Sequence, residues 1–161
     1  MSNNEYLTIN KSILINAPID LVWHAWTIPS RVSQWFAPKS VVEPRINGPY
    51  ELYFNPTEPN TMNTKGCKIT KISTEKELEF SWKGPDHLAS IMNNDNELTT
   101  VNVSFKKTGD STELTVTHTG WKTDTQWKDA IDWHQMAWDG VLSSLKSNIE
   151  KGQGELCCKP N

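Results

Sequence analysis

Histidine and cysteine are the residue types in this 161-residue chain that most readily support catalysis or metal binding. His134 lies on the apolar side of a long helical pattern, close to its centre, and His118 ends a run of alternating apolar residues. Such a histidine can orient a ligand or transfer a proton, or it can be a neutral imidazole with a satisfied buried partner. Because no acidic partner for His134 can be identified, the sequence favours a buried or ligand-orienting imidazole.

The spacing of these residues indicates neither a metal site nor a nucleophilic enzyme. The sequence has no His-x-x-x-His pair and no Cys–His cluster, so we expect no metal and no cofactor. It has no Gly-x-Ser-x-Gly motif, and Cys67 lies in a strand pattern that is typical of a buried, inert thiol. Cys157 and Cys158 are adjacent near the C-terminus, and we expect reduced thiols without function. We therefore predict no catalytic residues and favour a binding protein over an enzyme.

Tryptophan is overrepresented among the aromatic residues, with 8 tryptophans against 3 tyrosines and 4 phenylalanines.

The 16 basic and 19 acidic residues are scattered and give a net charge of −3, which disfavours a nucleic-acid partner. No apolar run reaches 18 residues, so we predict no membrane span. The polar start predicts no secretory signal and hence a cytoplasmic location. The length favours one domain with a sizeable core.

Periodicity divides the chain into strands and helices. Alternating isoleucines predict a strand over residues 8–15, and Pro18 suits the first turn of the helix that follows. Pro29 ends this helix or begins a second short one that extends to about Trp35. Over residues 39–118 the period becomes two, with turn signals between the runs. This pattern predicts about six antiparallel strands with one face exposed to water.

Residues 125–151 form a long amphipathic pattern that can cover the dry face of the sheet. At 100° per residue, one apolar stripe falls within about 60° of His134. Its apolar members are Trp127, Ala130, Ile131, Ala137, Trp138, Val141, Leu145 and Ile149. We predict an α+β fold: a curved antiparallel sheet of six to seven strands wrapped around a long C-terminal helix, with two short helices after the first strand. The domain is expected over residues 7–151, with flexible termini at residues 1–6 and 152–161.

Several short motifs occur in an order that resembles a known family. They are Ile-Asn-Ala-Pro at residues 15–18, Trp-Phe-Ala-Pro at 35–38, Arg-Ile-Asn-Gly at 45–48, the strand at 112–118 and Ala-Trp at 137–138. Together they resemble the activator of heat-shock-protein-90 ATPase homologue-like branch of the START-related SRPBCC superfamily, which has the helix-grip fold. The likeness covers about residues 7–149. Ala37 stands where the family often has glycine, and Gly48 is all that remains of a frequent glycine pair.

The resemblance implies a cavity between the sheet and the long helix. The inward aromatic residues can line such a cavity or simply fill the core. We predict a ligand pocket formed by Trp35, Tyr50, Phe54, Trp82, Phe105, His118, His134 and Trp138. Within it, His134 and Tyr50 are expected to orient the ligand. Two polar loops, residues 55–64 and 84–97, are predicted to gate the pocket.

Three functions fit these observations. The leading hypothesis is a small cytoplasmic protein, a monomer or weak homodimer, that binds a small apolar or aromatic ligand. The resemblance also implies an alternative, a protein-interaction module that activates a chaperone ATPase. A second alternative is a cyclase-type enzyme that acts on a polyketide-like substrate, with His134 as its acid–base group.

Overall fold

The computed structural model describes residues 6–152 and contains seven strands and four α-helices in that range. Cys157 and Cys158, and most of both termini for which flexibility is predicted, lie outside the described residues. In chain order the elements are β1 (Tyr6–Ile15), α1 (Ile19–Thr27), α2 (Pro29–Trp35), β2 (Lys39–Val42), β3 (Tyr50–Tyr53), β4 (Ile69–Ser73), β5 (Glu77–Trp82), a 3-10 turn (Asp86–Leu88), α3 (Ala89–Met92), β6 (Thr99–Thr108), β7 (Ser111–Lys122) and α4 (Thr125–Lys151).

The strands form two antiparallel sheets. The larger has the order β1-β7-β6-β5-β4, and the smaller pairs β2 with β3. Along β5, Leu78, Phe80 and Trp82 are buried, whereas the residues between them are half-buried. This alternation confirms the predicted period of two and gives the sheet one dry face. The α+β prediction is also confirmed, with two short helices after the first strand and a long helix at the end.

The long helix α4 begins and ends at well-defined caps. The Asp124 carboxylate accepts a hydrogen bond of 3.2 Å from the backbone N–H of Trp127. At the other end Gly152 adopts the left-handed conformation, with φ of 70°. In the part of the chain that the structure describes, no helix is long and apolar enough to cross a membrane.

The buried stripe of α4 differs in part from the predicted one. Its buried residues are Trp127, Ala130, Ile131, His134, Trp138, Leu142, Ser144 and Leu145. Ala137, Val141 and Ile149, which were expected in the stripe, are only half-buried. Ala137 and Val141 are partly exposed because they border an open cavity, although Val141 also packs against the core.

The short helices α1 and α2 connect the large sheet to α4. The indole of Trp35 donates a hydrogen bond of 2.8 Å to the carbonyl oxygen of Ala25, which links α2 to α1. The Ser144 hydroxyl donates one of 2.9 Å to the carbonyl oxygen of Trp35, which links α4 to α2. The first bond orients the Trp35 ring, and the second fixes its backbone carbonyl.

Candidate functional site

A cavity of about 490 Å³ lies beside α4, next to the ends of α2 and β5. Its wall consists of Trp35, Phe36, Phe54, Met62, Asn63, Trp82, Lys83, Gly84, Pro85, Trp133, Met136, Ala137, Gly140 and Val141. Small-molecule sites are typically 300–1,000 Å³ and mostly apolar, with a few polar groups. In size and lining, this cavity therefore suits a small apolar molecule.

Three aromatic rings of the wall form a stacked row. The Phe36 ring lies 4.7 Å from that of Trp35 with an interplanar angle of 23°. The Phe36 ring also lies 5.9 Å from the ring of Trp82, with an interplanar angle of 21°. Near-parallel rings of this kind present flat, polarisable faces, which favour contact with other flat or apolar groups.

The structure brings three of the eight predicted pocket residues, Trp35, Phe54 and Trp82, to the cavity wall. Trp138 is not in the wall but lies directly behind it, with its ring 5.9 Å from the rings of both Phe36 and Trp82. Phe105 lies elsewhere in the core, where its ring meets the edge of Trp23 at 5.1 Å.

Tyr50 is buried in the core and does not line the cavity. Its ring stacks on that of Phe80 at 4.0 Å. Its hydroxyl donates a hydrogen bond of 2.8 Å to the carbonyl oxygen of Trp26. Burial raises the pKa of Tyr50 well above its usual value. The hydroxyl that was predicted to orient a ligand therefore bonds to the backbone of α1.

His118 is buried, and both of its ring nitrogens have partners. The indole N–H of Trp138 donates to Nδ1 across 3.0 Å. Since Nδ1 is thus an acceptor, Nε2 carries the proton and donates to the Thr99 hydroxyl at 2.8 Å. Burial, together with His134 nearby, lowers the pKa of His118 well below its usual value. His118 is therefore neutral, and both of its ring nitrogens are already hydrogen-bonded.

His134 has the opposite tautomer. Its Nδ1 lies 2.8 Å from the carbonyl oxygen of Ala130, which can only accept, so Nδ1 carries the proton. Its Nε2 accepts a hydrogen bond of 3.1 Å from the indole of Trp82. Burial lowers the pKa of His134 from 6.5 to about 4. Neither nitrogen remains for a ligand, and His134 does not line the cavity.

The sequence analysis did not identify the part of the cavity wall that α4 forms, although it placed two of its residues, Ala137 and Val141, in the stripe around His134. Trp133, Met136, Ala137, Gly140 and Val141 line it, although Met136 is 77% exposed. These positions follow the spacing i, i+3, i+4, i+7 and i+8, which places them on one helix face. This spacing was a signal in the sequence, but it shares Ala137 and Val141 with the stripe around His134 and was therefore not recognised as a second stripe.

Two loops meet at the rim of the cavity. The backbone N–H of Met62 donates to the Asp86 carboxylate at 3.0 Å. In return, the backbone N–H of Asp86 lies 3.4 Å from the sulfur of Met62. Met62 has a φ of 46°, a left-handed conformation that a methionine rarely adopts. The two loops predicted to gate the pocket are thus in direct contact.

Cys67 does not supply a nucleophile. Its side chain is buried, and burial raises the pKa of its thiol to about 11, so the reactive thiolate is scarce at neutral pH. Within residues 6–152, no three histidine, cysteine, aspartate or glutamate side chains are grouped so that they could hold a metal ion.

Comparison with protein families identifies the chain. A model of the activator of Hsp90 ATPase homolog 1-like proteins matches residues 16–150. The chain belongs to this family. The resemblance noted from its motifs is thereby confirmed. No curated protein matches the sequence closely enough to count as a relative.

Solved structures of similar fold include other members of this family. The Aha1 dimer from Colwellia psychrerythraea superposes with a TM-score of 0.72 at 21% identity, over 92% of this chain and 99% of that one. The AHSA1-like protein from Rhizobium etli superposes with a TM-score of 0.69 at 18% identity, over 94% of this chain and 86% of that one. DynU16, from the dynemicin biosynthetic locus, superposes with a TM-score of 0.67 at 19% identity, over 91% of this chain but 48% of that one. These similarities confirm the helix-grip fold.

Proposed function

We propose that the protein binds a small apolar or aromatic molecule in the cavity beside α4. The observation that carries the proposal is the stacked row of Trp35, Phe36 and Trp82 along one wall of a cavity of about 490 Å³. Burying apolar surface there supplies roughly 25 cal/mol per Å². The cytoplasmic location, the single domain and the monomeric or weakly dimeric state stay predictions.

A neutral fluorescent probe tests this proposal. N-Phenyl-1-naphthylamine has two flat ring systems, no charge, and an emission that rises in apolar surroundings. We expect saturable binding with one site per chain. Native mass spectrometry of freshly purified protein provides a second readout, since a co-purified molecule would appear as added mass.

A substitution within the cavity makes the test specific. A Cβ added at Gly140 would meet no atom within 4 Å, so the α4 backbone leaves open space there. The Gly140→Phe side chain can enter the cavity mouth, and we expect it to weaken probe binding at least tenfold. The matched control is Ser143→Phe, which adds the same ring at an exposed α4 position away from the cavity. Equal probe affinity in the two variants would contradict the proposal.

A second candidate is activation of a chaperone ATPase, which family membership favours. It would use a surface of the protein and would not need the cavity. The test is the ATPase rate of an Hsp90-type chaperone with increasing amounts of this protein. An unchanged rate at saturation would exclude it.

Cyclase-type catalysis is supported only by the similarity to DynU16 from a biosynthetic locus. Proton transfer by His134 would require one of its nitrogens to reach a substrate, yet both are bonded within the core. If His134 were the acid–base group, His134→Gln would abolish turnover of a polyketide-like substrate. We favour the binding function because it needs no free imidazole.

A further inference from the structure

The cavity has a buried end and an exposed mouth. The side chains of Trp35, Phe36 and Trp82, which form the stacked row, are all buried. At the mouth, Trp133 and Met136 of α4 are exposed to water. A ligand in the cavity therefore places one end among buried aromatic rings, while its other end stays in contact with water.

Both indole N–H groups at the buried end already have partners. The indole of Trp35 donates a hydrogen bond of 2.8 Å to the carbonyl oxygen of Ala25. The indole of Trp82 donates one of 3.1 Å to Nε2 of His134. The third side chain of the row, Phe36, is a hydrocarbon. A polar group of a ligand that reached these rings would lose its hydrogen bonds to water and gain none from their side chains.

Two polar side chains elsewhere in the wall bond to the protein's own backbone. The amide oxygen of Asn63 accepts a hydrogen bond of 3.1 Å from the backbone N–H of Lys65, and its nitrogen donates one of 2.9 Å to the carbonyl oxygen of Pro59. The ammonium of Lys83 donates one of 2.7 Å to the carbonyl oxygen of Lys65, which lies outside the wall. These bonds turn the polar groups of the wall toward the protein and leave its apolar parts for a ligand.

Trp82 also separates the cavity from two buried imidazoles. The rings of His118 and His134 lie 5.9 Å and 6.3 Å from the ring of Trp82 and meet it at 79° and 82°. Trp82 lines the cavity, whereas both histidines lie behind it. Nε2 of His134 is a hydrogen-bond acceptor, but the Trp82 indole occupies it. Trp82 thus keeps this acceptor from a ligand.

We propose that the site selects single-ended ligands, which have a flat apolar body for the buried end and carry their polar groups at the opposite end, at the mouth. The inference rests on the proposed binding function and names its ligand class. Burying a hydroxyl group without a hydrogen bond weakens binding roughly 5- to 150-fold. A molecule that is polar at both ends meets this penalty in either orientation, whereas a single-ended molecule avoids it.

A pair of isomers tests the inference. Biphenyl-3,5-diol carries both hydroxyls on one ring, and biphenyl-4,4′-diol carries one on each ring. The two compounds therefore share the same aromatic body and the same number of hydroxyls. Each is titrated against the protein with bound N-phenyl-1-naphthylamine. We expect the 3,5-diol to displace the probe at about a tenfold lower concentration than the 4,4′-diol does.

Two tryptophan variants locate the cause of the selectivity. Trp82→Phe removes the indole N–H and frees Nε2 of His134 to accept from a hydroxyl at the buried end, so the ratio between the isomers should fall toward one. Trp121→Phe removes a buried indole that donates to the carbonyl oxygen of His118 at 3.0 Å, outside the wall, so the ratio should persist. The ratio in the unsubstituted protein decides the inference if Trp82→Phe fails to fold.

The outcomes separate the two proposals. Equal potency of the isomers would overturn the single-ended class while leaving the apolar site intact. A ratio that persisted in Trp82→Phe would overturn it too, since a missing partner at the buried end would not be the cause. A protein that does not bind the neutral probe at all would overturn the binding function and this inference with it.

Discussion

The indole N–H of Trp82 donates a hydrogen bond of 3.1 Å to Nε2 of His134 and so connects β5 to α4 through the core. A second pair repeats the arrangement, because the indole of Trp138 donates to Nδ1 of His118 at 3.0 Å. The two imidazole rings lie 5.5 Å apart. Each histidine is neutral, and each accepts from a tryptophan. These four side chains form a polar network that includes one residue of the cavity wall, Trp82, and satisfied networks of this kind make a core rigid.

The first prediction concerns pH. The pKa of His134 falls from 6.5 to about 4 on folding, so between these values the unfolded chain binds a proton that the native protein does not. Stability is therefore fully present above pH 6.5 and is lost as the pH falls toward 4. His134 alone should make the free energy of unfolding about 2 kcal/mol smaller at pH 5 than at pH 7. Urea denaturation at the two pH values measures this difference.

Two histidine variants isolate this contribution. His134→Gln removes the titrating group, so the variant should lose less stability between pH 7 and pH 5 than the unsubstituted protein does. His24→Gln removes an exposed histidine of α1 and should leave the pH dependence unchanged. If all three proteins lost the same free energy over this range, the low pKa of His134 would be contradicted.

The second prediction concerns the hydrogen bond between Trp82 and His134. Trp82→Phe keeps an aromatic ring but removes the indole donor, which leaves Nε2 of His134 buried without a partner. The expected loss of stability is about 1–3 kcal/mol, before any cost of the smaller ring. Trp133→Phe makes the same chemical change at a ring that is 39% exposed and should shift stability by less than about 0.5 kcal/mol. Similar urea midpoints for the two variants would exclude a structural role for this hydrogen bond.

Much of the fold could be predicted from periodicity, because the strands and α4 each bury one face. Along β5, the alternation of buried Leu78, Phe80 and Trp82 with half-buried residues is already visible in the sequence. The order of the short motifs also indicated the family and, through it, the helix-grip fold. The end of β3 and the start of β4 were harder to predict, because the polar loop over residues 55–64 between them has no period.

The site was only partly predictable, since a pattern shows which residues are inward but not what each side chain contacts. Tyr50 is inward, yet its hydroxyl bonds to the backbone of Trp26, a contact between residues 24 positions apart. His134 is inward, yet its acceptor nitrogen is taken by Trp82. Met136 is on the outward face, yet it borders the cavity. Contacts distant in sequence decide each case, and one sequence does not reveal them.

The third prediction compares two glycines. Gly140 lies within α4, where a Cβ would meet no atom within 4 Å, so Gly140→Ala should stabilise the protein by about 1 kcal/mol through helix propensity. Gly120 has a φ of 96°, and its Cβ would lie 3.4 Å from the backbone of Thr99, so Gly120→Ala should destabilise it. Urea denaturation of both variants checks the opposite signs. Destabilisation by Gly140→Ala would mean that the space beside α4 is filled.

The fourth prediction concerns the contact between the two rim loops. Met62 is held in an unfavourable left-handed conformation while its backbone N–H bonds to Asp86. Asp86→Ala removes the acceptor and lets Met62 relax, so the loops should separate more often. We expect faster hydrogen exchange in residues 55–64 and 84–97 and a several-fold faster dissociation of N-phenyl-1-naphthylamine. Because Asp86 is exposed, global stability should change by less than about 1 kcal/mol.

Asp95→Ala provides the control for the rim contact. Asp95 is exposed in the same loop, so its removal changes the net charge equally but leaves the contact between Met62 and Asp86 in place. Its probe dissociation rate should match that of the unsubstituted protein. If Asp86→Ala and Asp95→Ala released the probe equally fast, the contact would not control access. The gating role would likewise be wrong if both loops exchanged as slowly as β6 and β7, with and without the probe, since a gate must open on the timescale of ligand exchange.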